Sequence, residues 1–60
     1  MMNNSNNKWY IVVFKLCTGI ETFRYNKRIN DSPKTTQFIN TETHEIVALW
    51  NDRIIRFEVE

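Results

Sequence analysis

Along most of this chain apolar and polar positions alternate with a period of two, the spacing of strands that turn one face to a core and the other to water. The best organised stretch runs from Glu45 to Val59. Two runs rich in β-branched and aromatic residues flank Asn51-Asp52, a pair that tolerates the positive φ angles of a two-residue turn, so the pattern predicts a β-hairpin. In the second arm Ile55, Phe57 and Val59 share one face, expected to be core, and Arg56, Glu58 and Glu60 share the other. In the first arm Ile46, Ala48 and Trp50 alternate with Val47 and Leu49, which makes both faces apolar and marks a strand that is central or covered twice. A helix over residues 43–50 competes for the same segment, because Ile46, Leu49 and Trp50 also fit helical spacing and Thr41 or Thr43 would cap it. The shortness of the run, the adjacent β-branched Ile46 and Val47 and the lack of a glycine after Trp50 weigh against the helix.

Upstream, Trp9 to Cys17 predicts a strand with Trp9, Ile11, Val13 and Cys17 on one face and Tyr10, Val12, Phe14 and Leu16 on the other. Both faces are apolar, so the sheet must curl or meet another copy to cover them. Thr18-Gly19 follows with the single glycine of the chain, placed where a tight turn would use a positive φ. A second strand from about Ile20 to Ile29 puts Phe23, Tyr25 and Ile29 inward and Thr22, Arg24, Asn26, Arg28 and Asn30 outward. Asn30-Asp31-Ser32-Pro33 makes a turn. A short strand over Lys34 to Asn40 reads as an edge, and the turn Thr41-Glu42-Thr43-His44 leads into the hairpin.

The expected class is therefore mainly β: about five short antiparallel strands over residues 8–60, in a meander or a small SH3-like barrel, with the ββ-β-α-β arrangement as the alternative if 43–50 is helical. Residues 1–7 lack an apolar anchor and are expected to form a disordered tail.

Length and composition then narrow the possibilities. Sixty residues make one small domain with a thin core. The single Cys17 excludes an internal disulfide, which leaves oligomerisation as the available staple; a homodimer through Trp9, Ile11 and Val13 is the expectation. The polar opening and the shortness of the apolar run Trp9 to Phe14 argue against a membrane span, and one cysteine fits the cytoplasm better than secretion. The bias toward Asn and Ile is what an AT-rich coding sequence produces, which favours a bacterium of low GC content or one of its phages.

Net charge is +1, yet its distribution is uneven. Lys15, Arg24, Lys27, Arg28 and Lys34 face only Glu21 and Asp31 in the middle of the chain, while Glu42, Glu45, Asp52, Glu58 and Glu60 outnumber Arg53 and Arg56 after it. The outer face of the second strand, Arg24, Asn26 and Arg28 with Lys27 at its edge, is the candidate partner-binding patch.

Catalytic chemistry finds little support. Cys17 and His44 form no local motif, and Cys17 reads as a small buried hydrophobe. His44 with Glu42 and Glu45 lacks a second histidine or a cysteine pair for a metal, and one glycine excludes a Gly-rich phosphate loop. Neither enzyme activity, cofactor nor metal is expected. What remains is a small binding module acting by protein–protein interaction on an acidic partner, an inhibitor or adaptor of the kind that phages and mobile elements encode as very short chains. Its alternative is a small β-barrel that binds RNA or single-stranded DNA, as OB and Sm-like architectures do. Phe23 and Tyr25, expected in the core, are poorly placed to stack on bases, which weakens that alternative.

Overall fold

A computed structural model describes residues 8–60; the expected tail at 1–7 lies outside the described residues. Six antiparallel strands form two three-stranded sheets. The strands are β1 (Tyr10–Leu16), β2 (Gly19–Tyr25), β3 (Lys27–Ile29), β4 (Thr35–Asn40), β5 (Glu45–Trp50) and β6 (Ile54–Val59). The first sheet has the order β2-β1-β6 and the second β3-β4-β5, and the strands do not close into a barrel. The mainly β class follows the alternating pattern, and residues 45–50 are strand rather than helix.

Local chemistry explains the hairpin turns. β1 and β2 pair down to Leu16 opposite Gly19, so only Cys17 and Thr18 lie between them. Gly19 carries the positive φ (+145°) expected of it, a conformation that side-chain-bearing residues rarely adopt. Between β4 and β5 the turn Thr41–His44 closes over buried Asn40, whose Oδ1 accepts from the backbone N–H of Glu42 (3.0 Å) and Thr43 (3.2 Å). His44 completes the reversal with φ +63°, in the left-handed region. Before β4, the Ser32 hydroxyl accepts from the N–H groups of Lys34 and Thr35, the turn that Ser32-Pro33 predicts.

The core lies between the sheets. Val12, Phe14 and Tyr25 from the first sheet meet Phe38 and Leu49 from the second, with Tyr10, Phe23, Val47 and Ile54 around them. Phe38 and Val12 are completely buried. β4, expected at an edge, is thus the central strand of its sheet, while β5, expected to be central, is an edge with only Val47 and Leu49 turned inward. Pairing partners, which lie far apart in sequence, decide this, and apolarity along one strand does not reveal them.

Two further differences concern where the chain changes sheets. The predicted strand from Ile20 to Ile29 breaks at Asn26, so Tyr25 ends one sheet and Lys27 opens the other. Ile29, expected inward, consequently sits exposed on the outer side of the second sheet, opposite Gln37. The predicted hairpin at Asn51-Asp52 is absent: Asn51–Arg53 form one turn of 3₁₀ helix, and β6 pairs with β1 instead of β5. Asn51 holds this corner against the β3–β4 loop. Its N–H donates to Lys34 O (2.7 Å), its Nδ2 donates to Pro33 O (3.1 Å), and its Oδ1 accepts from the buried Thr36 hydroxyl (2.6 Å).

A β-bulge then resets β6. Val13 pairs with Arg56 but Phe14 pairs with Ile54, which leaves Ile55 as the extra residue. Ile54 takes the inward place expected of Ile55, and Phe57 and Val59 stay on the inner side beside Val12 and Tyr10. They stand at an open end of the core, with Phe57 48% and Val59 70% exposed.

Candidate functional site

The four residues of the sequence-derived patch do not share a face, because the break at Asn26 rotates everything after it. Arg24 lies on the outer side of the first sheet, opposite Ile11. Its Nε donates to both carboxylate oxygens of Glu60 (2.8 and 3.0 Å), its Nη1 stands 3.7 Å from Glu42, and its guanidinium sits 3.8 Å from the centre of the Trp9 ring. The hydrogen bond to Glu60 is the main cause that pushes the Arg24 pKa up, and its counterpart holds the Glu60 carboxyl below the ordinary range. Arg24 therefore clamps β2 to the end of β6.

Asn26 is a corner residue. Its Nδ2 donates to the Thr41 hydroxyl (2.7 Å), its Oδ1 accepts from Thr41 N–H (3.2 Å), and its own N–H donates to Ile39 O. Lys27 points to the outer side of the second sheet, opposite Ile39. Arg28 alone turns to the inner side, opposite fully buried Phe38, with its guanidinium 5.5 Å from the centre of the Phe57 ring.

Around Arg28 the structure forms a site that the sequence pattern did not show. Tyr10, Tyr25, Asn26, Arg28, Phe57 and Val59 line an open cleft of about 460 Å³. Its aromatic wall is continuous with the core. Tyr10 stacks on Tyr25 (5.5 Å between ring centres), Tyr25 meets Phe38 edge to face (4.8 Å), and Phe38 lies 6.0 Å from Phe57. Burial pushes the Tyr25 phenol up, with the positive charge of Arg28 acting in the opposite sense. Among the described residues Arg28 is the only charged side chain that lines the cleft, and it makes no salt bridge with any of them. The nearest signal in the sequence was one aromatic residue in each of three strands, Tyr10, Tyr25 and Phe57; that these rings meet one arginine depends on the two crossings between sheets.

Elsewhere the surface is less suited to recognition. A depression of similar size is lined by Pro33, Lys34, Trp50, Asn51 and Asp52, but Asn51 is committed to holding the corner and the two charges oppose each other. The expected oligomer surface is partly covered by the chain itself. Val13 is only 3% exposed and Trp9 and Ile11 are half-buried, flanked by Arg24, Arg56 and Glu58, the last two joined at 2.9 Å. Exposed apolar side chains gather instead on the outer side of the second sheet, at Ile29, Ile46 and Trp50.

Cys17 is exposed in the β1–β2 turn, contrary to the buried position expected of it, because β1 ends at Leu16. Among the described residues no group of three or more His, Cys, Asp or Glu side chains gathers as metal ligands would, and no helix is long and apolar enough to cross a membrane. Compared with protein-family models, curated proteins and solved structures, the chain finds no match in any of the three.

Proposed function

We propose that this protein is a non-enzymatic binding module that acts through protein–protein interaction, and that the cleft around Arg28 is its recognition surface. The observation that carries this reading is the combination of a half-buried Tyr10 and exposed Phe57 and Val59 with a single cation that has no carboxylate partner among the described residues. Concave apolar surfaces with a few placed polar groups are the usual form of ligand sites, and aromatic and arginine side chains supply most of the energy at protein interfaces. Of the sequence-derived patch, Arg28 is retained, Lys27 stands on the opposite side of the second sheet, and Arg24 and Asn26 have structural work.

The test is affinity capture by the immobilised full chain, with and without nuclease, using the parent and the double variant Arg28→Glu, Phe57→Ala beside a control, Lys34→Glu. A protein partner kept after nuclease, kept by the control and lost by the double variant supports the proposal. A partner retained by the double variant overturns the placement of the site, and a partner lost on nuclease treatment turns the reading to nucleic acid.

A further inference from the structure

Resting on that reading, we infer that the occupant of the cleft is an extended acidic segment of another protein, which sets a carboxylate on Arg28 and lays small apolar side chains against Tyr10, Phe57 and Val59. Three features of the structure lead there. The first is charge: among the described residues the cleft holds one cation and no anion, and the carboxylates on the strands beside it are occupied elsewhere, Glu58 by Arg56 and Glu60 by Arg24. A guanidinium whose fork has no hydrogen-bond or ion-pair partner among the described residues, held over an aromatic ring, matches a carboxylate with two parallel hydrogen bonds.

The second feature is shape. β3 and β6, which contribute Arg28, Phe57 and Val59, are each paired on one side only among the described residues, so these two strands leave backbone N–H and C=O groups free for an added strand. Main-chain bonding of this kind selects an extended chain, and the alternate side chains of that chain would meet the aromatic wall.

The third feature separates peptide from nucleic acid. Single-stranded nucleic acid is held by several cations along a groove and by rings free to stack. Here one cation lines the cleft, the Tyr10 ring is already stacked, and Tyr25 is buried.

Selection from a displayed random-peptide library on the full chain tests the inference, with the site mapped by amide chemical shifts. The expected result is enrichment of Asp and Glu, shifts at Tyr10, Arg28, Phe57 and Val59, and slowed amide exchange in β3 or β6. Arg28→Gln should weaken a selected peptide by about tenfold, the scale of one hydrogen bond to a charged group. Selection repeated on Arg28→Glu should turn toward Lys and Arg; should that variant not fold, Arg28→Gln carries the test. Cleft-binding peptides without acidic enrichment would overturn the inference and leave the protein-binding reading standing. Peptides bound elsewhere, no peptide at all, or oligothymidylate occupying the cleft in their place would overturn both.

Discussion

Arg24 and Glu60, thirty-six positions apart, are joined by two contacts of 2.8 and 3.0 Å from one guanidinium nitrogen to both carboxylate oxygens. The pair ties β2 across β1 to the end of β6, and the Glu60 N–H donating to Trp9 O (3.0 Å) tightens the same edge. Its pH dependence follows from the direction of the shift. Because folding lowers the Glu60 pKa, the contribution of the pair is present in full above the ordinary carboxylate range and is lost as pH falls through the folded value. Thermal melts should therefore show an acid-side decline that Glu60→Gln makes shallower. Arg24→Ala should reduce the same pH-dependent component, since both variants remove one interaction.

Asn51 makes three hydrogen bonds at the crossing into β6. Asn51→Ala removes the two made by its side chain and takes from the buried Thr36 hydroxyl its short acceptor, leaving Asn30 at 3.5 Å. The expected cost is about 1–3 kcal/mol, the penalty for a buried polar group deprived of its partner. Urea unfolding of parent and variant measures it; a change near zero would mean that Lys34 O and the 3₁₀ turn hold the corner without the side chain.

Phe38 and Phe57 are separated by 6.0 Å yet differ in burial, 0% against 48% exposed. Phe38→Ala should cost about 3–5 kcal/mol, as expected for a buried phenylalanine. Phe57→Ala should cost less, about 1–2 kcal/mol, because only part of its ring leaves water on folding. Equilibrium denaturation of both variants checks the ordering, and equal losses would place Phe57 in the core rather than at the cleft.

Two turns carry positive φ, and their residues predict opposite responses. His44 at +63° is a side-chain-bearing residue in glycine's region, so His44→Gly should be neutral or raise stability by up to about 1 kcal/mol. At Gly19 an added Cβ would meet nothing within 4 Å, but the backbone angle itself is unfavourable to alanine. Gly19→Ala should destabilise by about 1 kcal/mol or more, through conformation and without a steric clash. In thermal melts His44→Gly should hold or raise the melting temperature while Gly19→Ala lowers it.

Much of the fold was legible in the chain, and the limits are physical. The β1–β2 turn at Thr18-Gly19, the Ser32-Pro33 turn and the Thr41–His44 turn all rest on local chemistry, and each lies where its residues indicate. Alternation also put Val12 and Phe14 on one face of their strand and Tyr25 on the inner face of the next. What alternation does not carry is a change of sheet. Asn26 bends the chain because its side chain finds Thr41, and Asn51 redirects it because its side chain finds Thr36, contacts made across fifteen positions. The extra residue Ile55 likewise puts Ile54 in the inward place expected of Ile55, for reasons that lie in β1. The candidate site inherits these limits: Arg28 was singled out with Arg24 as its neighbour on a face, whereas the fold places it with Phe57.

The position of β1 between β2 and β6 also bears on how fast the protein folds. One neighbour comes from the adjoining hairpin and forms early; the other arrives only after nearly the whole described chain has been laid down. Sheets completed by such distant strands fold slowly compared with those built from successive hairpins. Until β6 docks, β1 shows a long apolar edge with Val12 and Val13 uncovered on that side. A concentrated refolding chain therefore has an opening in which the last strand of a second molecule fits as well as its own, and the short turn at Asn51–Arg53 is the hinge through which such an exchange would pass.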